Sequence, residues 1–176
     1  LFDSMYKGFP VGYLLFWINA LNGNNRQIGT DAKQKCPRLL IVDGQQRLTA
    51  LLAAMYGVTI KDQNYEERKI KISFNPLTCE FAVWTQAYER NPEWISEICS
   101  VFAADQEHTI SRFRKSFIRS VNESREKNGK ELLTEEEEDV IEENINNLLN
   151  LGIYSLPTLK ISSKAEMEIC DLSGSE

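Results

Sequence analysis

A carboxylate, two side-chain amides and a guanidinium follow one another in one short stretch of the chain, Asp43-Gly44-Gln45-Gln46-Arg47. Arg47 carries a permanently charged, planar fork of donors that matches phosphate oxygens. Gln45 and Gln46 can donate to phosphates or position a nucleophile, and Asp43 can hold a divalent metal or orient a water molecule. Gly44 permits a sharp turn and leaves room for a ligand. This combination of residue types is suited to a nucleotide phosphate.

The patterns on either side of this stretch predict how it is positioned. The apolar run from Leu39 to Val42 predicts a short buried strand. A helical repeat follows, with Gly57 just past its end and an inner face of Leu48, Leu51, Leu52 and Met55. The stretch Asp43 to Arg47, which we call the corner, is therefore expected between a strand and a helix N-terminus. Unpaired N–H groups and the helix dipole favour an anion there.

A purely structural role is the alternative for the same residues. Asp-Gly before a helix is also an ordinary cap and turn. Arg47 could extend from the first helical turn over the protein surface without binding a ligand. The residues alone leave both alternatives open.

The front of the chain is expected to be mixed α/β. Helical spacing of Leu1, Phe2 and Met5 stops at Gly8 and Pro10. The apolar run 13–18 predicts a strand buried on both faces, and the polar stretch 19–35 predicts a long loop. Residues 70–74 and 80–84 flank the turn 75–78, which predicts a hairpin.

The back of the chain is expected to be rich in helix. Pro92 predicts the start of a helical stretch that includes Trp94, Ile95, Ile98 and Phe102. A longer helix has Ile110, Phe113, Phe117 and Val121 as its apolar stripe. A third begins at Thr134 with Glu137 in a capping box, ends at Gly152, and has an inner face of Val140, Ile141, Ile145, Leu148 and Leu149. Residues 153–161 predict a late strand, and 165–172 the start of a helix.

The net charge of −6 and the pI near 5.0 argue against a surface made for non-specific DNA binding. A local basic patch remains possible on the helix that contains Phe113 and Phe117. Its basic side chains are predicted on the opposite face, as either a solvated surface or a patch that faces DNA: Arg112, Arg114, Lys115 and Arg119.

Several site types are excluded by the residues that the chain lacks. His108 is its single histidine and is expected to be exposed near a helix start, so an HNH nuclease site cannot be built here. The sequence has no Walker A string, no GxGxxG and no recognisable Ser-His-Asp arrangement. The four cysteines show no zinc spacing and predict buried thiols in a reducing compartment.

Localisation and the aromatic residues are interpreted from general rules. No apolar run approaches the length of a bilayer span, so a cytoplasmic protein without membrane contact is the default expectation. The three tryptophans, Trp17, Trp84 and Trp94, are expected at core or edge positions. Base stacking by Phe9 or Tyr13 is the alternative to burial for those two rings.

Two motifs in order carry a resemblance to a known family. The string Asp43-Gly44-Gln45-Gln46-Arg47-Leu48-Thr49 and the upstream Gly8-Phe9-Pro10-Val11-Gly12 resemble the DGQQR and G-[FY]-P-[IV]-G segments of one domain. This is the N-terminal domain of GmrSD-type, modification-dependent restriction endonucleases. The resemblance covers about residues 1–172.

The resemblance implies a fold and a site. The implied fold is an α/β (α+β), ParB/sulfiredoxin-like core over residues 1–104, with a helical extension and late strand over 105–176. Asp43, Gln45, Gln46 and Arg47 would be the catalytic set. The implied cofactor-binding positions are Gly8, Pro10, Gly12, Gly44, Arg47 and Thr49.

The resemblance also implies an activity and partners. The domain would bind and hydrolyse a nucleoside triphosphate with Mg²⁺, and so regulate or power the restriction of modified phage DNA. Its partners would be the nucleotide, DNA, and an HNH-type nuclease on a C-terminal domain or separate chain, with an oligomer possible. A non-catalytic sensor of DNA modification and a scaffold for the nuclease are the alternatives.

Overall fold

The computed structural model describes residues 1–18, 39–61, 65–153 and 156–161, and the backbone of 167–171. The loop predicted over 19–35 lies outside the described residues. The chain divides into two units. The helical unit comprises Leu1–Pro10 and Leu48–Tyr154, and the sheet unit comprises Val11–Arg47 and Ser155–Glu176. The predicted domain division at residue 104 stays a prediction.

The described elements alternate helices with short strands, which confirms the α+β class. The ParB/sulfiredoxin-like topology stays a prediction. The helices are α1 (Phe2–Tyr6), α2 (Gln45–Tyr56), α3 (Gln86–Arg90), α4 (Cys99–Gln106), α5 (Ile110–Lys127) and α6 (Glu135–Leu149), with a 3₁₀ turn at Asn150–Ile153. The strands are β1 (Leu14–Ile18), β2 (Leu39–Asp43), β3 (Ile60–Lys61), β4 (Glu67–Arg68), β5 (Ile72–Asn75), β6 (Glu80–Val83), β7 (Pro157–Ile161) and β8 (Met167–Asp171). No described helix is long and apolar enough to cross a bilayer.

The sheet unit is built around β1. Its four strands are ordered β2-β1-β7-β8, with β1 antiparallel to β2 and parallel to β7. The register between β1 and β2 shifts between Leu15 and Phe16, and Leu15 lies opposite Asp43. The pairing therefore places the end of β2 beside the start of β1, which is where the predicted site lies.

The predicted strands at 13–18 and 39–42 are confirmed, but their predicted burial is wrong. Leu14 is the only buried residue of β1, and Trp17 is 43% exposed. In β2, Leu40 and Val42 are 44% and 56% exposed. Among the described strands β2 lies at an edge of the sheet and pairs with β1 alone, so it is less covered than a central strand. An apolar run is compatible with either position.

The helix predicted over 165–172 is wrong, since residues Met167–Asp171 form β8. This strand pairs antiparallel with β7 through five residue pairs, from Pro157–Asp171 to Ile161–Met167. Backbone hydrogen bonds to a neighbouring strand thus override a weak local helical pattern, as tertiary context commonly does.

The core of the helical unit is formed by α6, α4 and the hairpin. Ile141, Ile145 and Leu148 of α6 are buried as predicted, but Val140 is 39% exposed and lies outside the predicted inner face. In α2, Leu51 and Met55 are buried, whereas the prediction for Leu52 is wrong, because it is 46% exposed. In both helices the predicted apolar face included one residue too many.

Helix α6 begins as the sequence predicts. The Thr134 hydroxyl accepts the N–H of Glu137 at 3.2 Å, and the Glu137 carboxylate accepts the N–H of Thr134 at 3.0 Å. The first turn holds four glutamates, 135–138, which interact favourably with the positive end of the helix dipole. The capping box is confirmed, and α6 has a well-satisfied N-terminus.

The hairpin is confirmed as β5 and β6, but the helix predicted from Pro92 is wrong in its start. Phe74 and Ile95 exchange two backbone hydrogen bonds, of 2.9 and 2.8 Å, so Ile95 extends the hairpin as a third short strand-like segment. Helix α4 begins only at Cys99. Ile95 lies at helical spacing from other apolar residues, but it pairs with the buried Phe74 and does not join a helix.

The predicted basic face of α5 is correct except at one position. Arg114 points towards α6, where its guanidinium lies 3.7 Å from the Glu142 carboxylate and its side chain is 18% exposed. Arg112, Lys115 and Arg119 are exposed. His108, just before this helix, is exposed as predicted.

Two substitutions on α6 test this core. Ile145→Ala removes a fully buried side chain and is expected to lower the free energy of unfolding by about 2–5 kcal/mol. Val140→Ala, at a 39% exposed position of the same helix, is expected to change it by less than about 1 kcal/mol. Urea denaturation followed by circular dichroism measures both. Equal losses would contradict the assigned inner face.

Candidate functional site

The corner is a tight turn between β2 and α2, as predicted. Strand β2 ends at Asp43, α2 begins at Gln45, and the intervening Gly44 has a φ of +94°. A Cβ at Gly44 would overlap the Leu14 Cδ2 methyl group and lie 3.3 Å from the Arg47 guanidinium. Gly44 therefore satisfies two requirements at once, a left-handed backbone and close packing against β1.

The Arg47 guanidinium is fixed by two acceptors. Its Nη2 donates to the main-chain carbonyl of Tyr13 at 2.5 Å and to the Asp43 carboxylate at 3.0 Å. Gly12 has a φ of +89°, and a Cβ there would lie 3.1 Å from Nη1. Two glycines thus line the space around one guanidinium. Both glycines are among the cofactor-binding positions that the resemblance implies, and that role stays a prediction.

The pair between Arg47 and Asp43 is exposed and therefore weak. The side chain of Arg47 is 32% exposed and that of Asp43 is 71% exposed. Exposed pairs of this kind contribute only about 0–1 kcal/mol, because water screens both charges. A more highly charged anion can therefore replace the Asp43 carboxylate as the partner of Arg47 at a small cost in free energy. The geometry is compatible with ligand binding and also with the structural role left open above.

The N-terminus of α2 differs from that of α6. Its first turn holds no acidic residue, and the residue before it, Gly44, has no side chain that could cap the first N–H groups. Gln45 and Gln46 are exposed on this turn. The positive end of the α2 dipole thus lies beside the exposed amides of Gln45 and Gln46 and the Arg47 guanidinium.

A pocket of about 360 Å³ lies at the corner, lined by the residues from Val42 to Arg47. Small-molecule sites in proteins begin at about 300 Å³, so the pocket is large enough for a ligand. The predicted catalytic residues Asp43, Gln45, Gln46 and Arg47 all line it. Their catalytic roles stay predictions.

The other predicted positions are divided between the two units. Gly12 lies beside Arg47 in the sheet unit. Gly8, Pro10 and Thr49 are exposed and belong to the helical unit, and Gly8 has open space around it. Their predicted roles in ligand binding stay predictions.

Sequence reasoning missed two residues of the segment before and in β1 that contact the corner. The Tyr13 carbonyl anchors Arg47, and the Leu14 side chain packs against Gly44. A main-chain carbonyl has no signature in residue type, since every residue carries one. The register between β1 and β2 would have identified the Tyr13 carbonyl. The residues between the two strands do not allow that register to be predicted from the sequence. The Phe9 and Tyr13 rings are 58% and 55% exposed.

The chain matches a known protein family over nearly its whole length. Residues 1–171 match the family described as the GmrSD restriction endonuclease, N-terminal domain. The chain belongs to this family. No curated protein and no solved structure matches it. Membership confirms the resemblance and involves the chain in the restriction of modified DNA, with DNA and a nuclease domain as the partners that the family implies.

The structure of the corner requires glycine at position 44. Gly44→Ala is expected to lower the free energy of unfolding by more than about 2 kcal/mol, because it adds an overlap with Leu14 to the strain of a positive φ. Gly129→Ala is the matched control: its φ is +68°, and nothing lies near its Cβ position. Urea denaturation should give about 1–2 kcal/mol for the control. Equal losses would contradict the close packing at Gly44.

Proposed function

We propose that the corner binds the phosphates of a nucleoside triphosphate with Mg²⁺ and supports its hydrolysis, and that this activity regulates or powers the restriction of modified DNA. The observation that carries the proposal is the position of Arg47. Its guanidinium is anchored by a main-chain carbonyl at a helix N-terminus, beside a carboxylate that is 71% exposed.

Arg47 would bind phosphate oxygens by exchanging its carboxylate partner. A triphosphate carries several negative charges, so it competes well with one exposed carboxylate for the guanidinium. The Tyr13 carbonyl would keep the guanidinium in place during this exchange, because that bond does not involve Asp43. Little side-chain ordering would then be needed on binding, which favours affinity.

Donors on the first turn of α2 would complete the phosphate site. The N–H groups of this turn have no partners within the helix, and the dipole favours negative charge. The exposed amides of Gln45 and Gln46 can donate to phosphate oxygens or orient an attacking water molecule. Gly12 and Gly44 leave space for the phosphates to approach the backbone and Arg47.

The residues present fit Mg²⁺ bound together with nucleotide. Among the described residues, no group of three or more metal-ligating side chains occurs. Mg²⁺ needs no such group, because it commonly uses one or two carboxylates plus substrate phosphates and waters. Asp43 would be its protein ligand. The ion would supply charge neutralisation on the transferring phosphoryl group.

Loss of the guanidinium should weaken nucleotide binding. Arg47→Ala is expected to reduce affinity about 10- to 100-fold, the usual effect of removing charge-assisted hydrogen bonds. Isothermal titration of the full-length protein with GTP, ATP, CTP and UTP in the presence of Mg²⁺ measures it. Arg90→Ala, an exposed arginine of the helical unit, is the control and should bind as the parent does.

Two results would count against the proposal. One is the absence of binding of all four nucleotides to the parent protein. The other is a phosphate-release rate that Arg47→Ala leaves unchanged. Tight binding of a modified duplex that is lost in Arg47→Ala and insensitive to nucleotide would instead support a non-catalytic sensor of DNA modification.

Substitution of Asp43 should affect the Mg²⁺ dependence of nucleotide binding and leave nucleotide binding itself intact. Asp43→Asn removes a negative charge beside the phosphates but leaves an oxygen acceptor for Arg47. Nucleotide affinity without Mg²⁺ is expected to be equal or higher, whereas the gain in affinity on adding Mg²⁺ should fall at least about tenfold, because Mg²⁺ strongly prefers a carboxylate ligand. Titrations with and without the ion measure both. An unchanged response to Mg²⁺ would exclude Asp43 as its ligand.

A further inference from the structure

The first part of helix α5 exposes only cations and hydroxyls. Within residues 111–120 the buried and half-buried positions are 113, 114, 117 and 118, and the rest are exposed. We call these exposed residues the basic face: Ser111, Arg112, Lys115, Ser116, Arg119 and Ser120. No acidic residue occurs on the helix before Glu123. This composition stands out in a chain with a net charge of −6.

Within the described ranges, the cations of the basic face differ in pairing from the other arginines of α5. Arg114 and Arg125 on the same helix pair with glutamates, Arg114 with Glu142 and Arg125 with Glu93 and Glu137. By contrast, Arg112, Lys115 and Arg119 make no ion pair or hydrogen bond within the part of the chain that the structure describes. The helix therefore sorts its basic residues into a paired inner set and an unpaired outer set.

The arrangement is unfavourable for the isolated helix. Lys115 and Arg119 are four residues apart and Arg112 and Lys115 are three apart, so like charges repel across adjacent turns. Arg112 also lies in the first turn, where the helix dipole disfavours a cation. Glu123, Glu138 and Glu142 line a groove beside Lys115 and Arg119 and lower this repulsion, but among the described residues none of them forms an ion pair with these cations. Binding of an anionic partner would offset both.

The spacing of the basic face fits a polyphosphate backbone. Arg112 and Arg119 are seven residues apart, which is about 10 Å along a helix. Successive phosphates of one DNA strand rise about 3.4 Å along the duplex, so three cations over this length can contact neighbouring phosphates. Arginine, lysine and serine side chains are also the groups that commonly contact DNA phosphates.

We propose that the basic face of α5 binds the sugar-phosphate backbone of duplex DNA without reading its sequence or modification. The proposal concerns the helical unit and does not rest on nucleotide binding at the corner. It assigns a surface for the DNA that family membership implies as a partner.

The test is the salt dependence of DNA binding by the full-length protein. Fluorescence anisotropy with a labelled duplex, between about 50 and 200 mM salt, gives the slope of log K against log salt. The variant Arg112→Gln, Lys115→Gln, Arg119→Gln should reduce that slope by about 3 and weaken binding at low salt at least about tenfold, since each phosphate contact contributes about 0.9 to the slope. Modified and unmodified duplexes should lose affinity equally.

A matched control removes the same charge from other exposed positions. It is the variant Arg90→Gln, Lys127→Gln, Lys130→Gln, which should keep the parent slope. Equal effects of the two triple variants would overturn the proposal, because net charge alone would then explain the loss of binding. A parent slope in the basic-face variant, or a loss confined to the modified duplex, would also overturn it. A retained circular dichroism spectrum and thermal stability would show that the variant is folded.

Discussion

The site depends on one anchored guanidinium. Arg47 reaches back from the first turn of α2 to the Tyr13 carbonyl, and this contact ties the helix start to the segment that enters β1. The pairing of Leu15 with Asp43 brings these chain segments together, and glycines at 12 and 44 leave the space that the guanidinium occupies. Strand register, turn and helix direction all converge on this contact, so it is the constraint from which the corner follows.

The two partners of Arg47 differ in what a ligand could replace. The Tyr13 carbonyl belongs to the backbone and is fixed by the chain on both sides of it, whereas the Asp43 carboxylate is mostly exposed. One permanent acceptor can hold the arginine in position before a phosphate arrives. The exchangeable acceptor can then give way, so that the guanidinium pairs with the phosphate. Preorganised donors of this kind favour both binding and stabilisation of developing charge.

The sequence predicted the corner more accurately than the sheet around it. Asp43 to Arg47 is governed by local rules, since a turn residue with positive φ and a helical repeat are both visible in residue order. The burial of β2 and the strand at 167–171 depend on which strands become neighbours, and residue order does not encode that directly. Ile95 and the Tyr13 carbonyl were missed for the same reason, because backbone pairing between distant segments leaves no mark on residue type.

The acidic residues are distributed unevenly over the chain, so its net charge does not decide anion binding at one place. Four of the glutamates lie on the first turn of α6, where the helix dipole and a capping box compensate them. Electrostatic interactions in physiological salt decay over about 8 Å, so a phosphate senses the local charges and not the sum over the chain. The first turn of α2 contains no acid, and neither does the exposed face of α5 before Glu123. Net charge thus limits long-range attraction of DNA. Short-range phosphate contacts depend on the cations at these two places and on the acids nearest to them, Asp43 at the corner and Glu123, Glu138 and Glu142 beside α5.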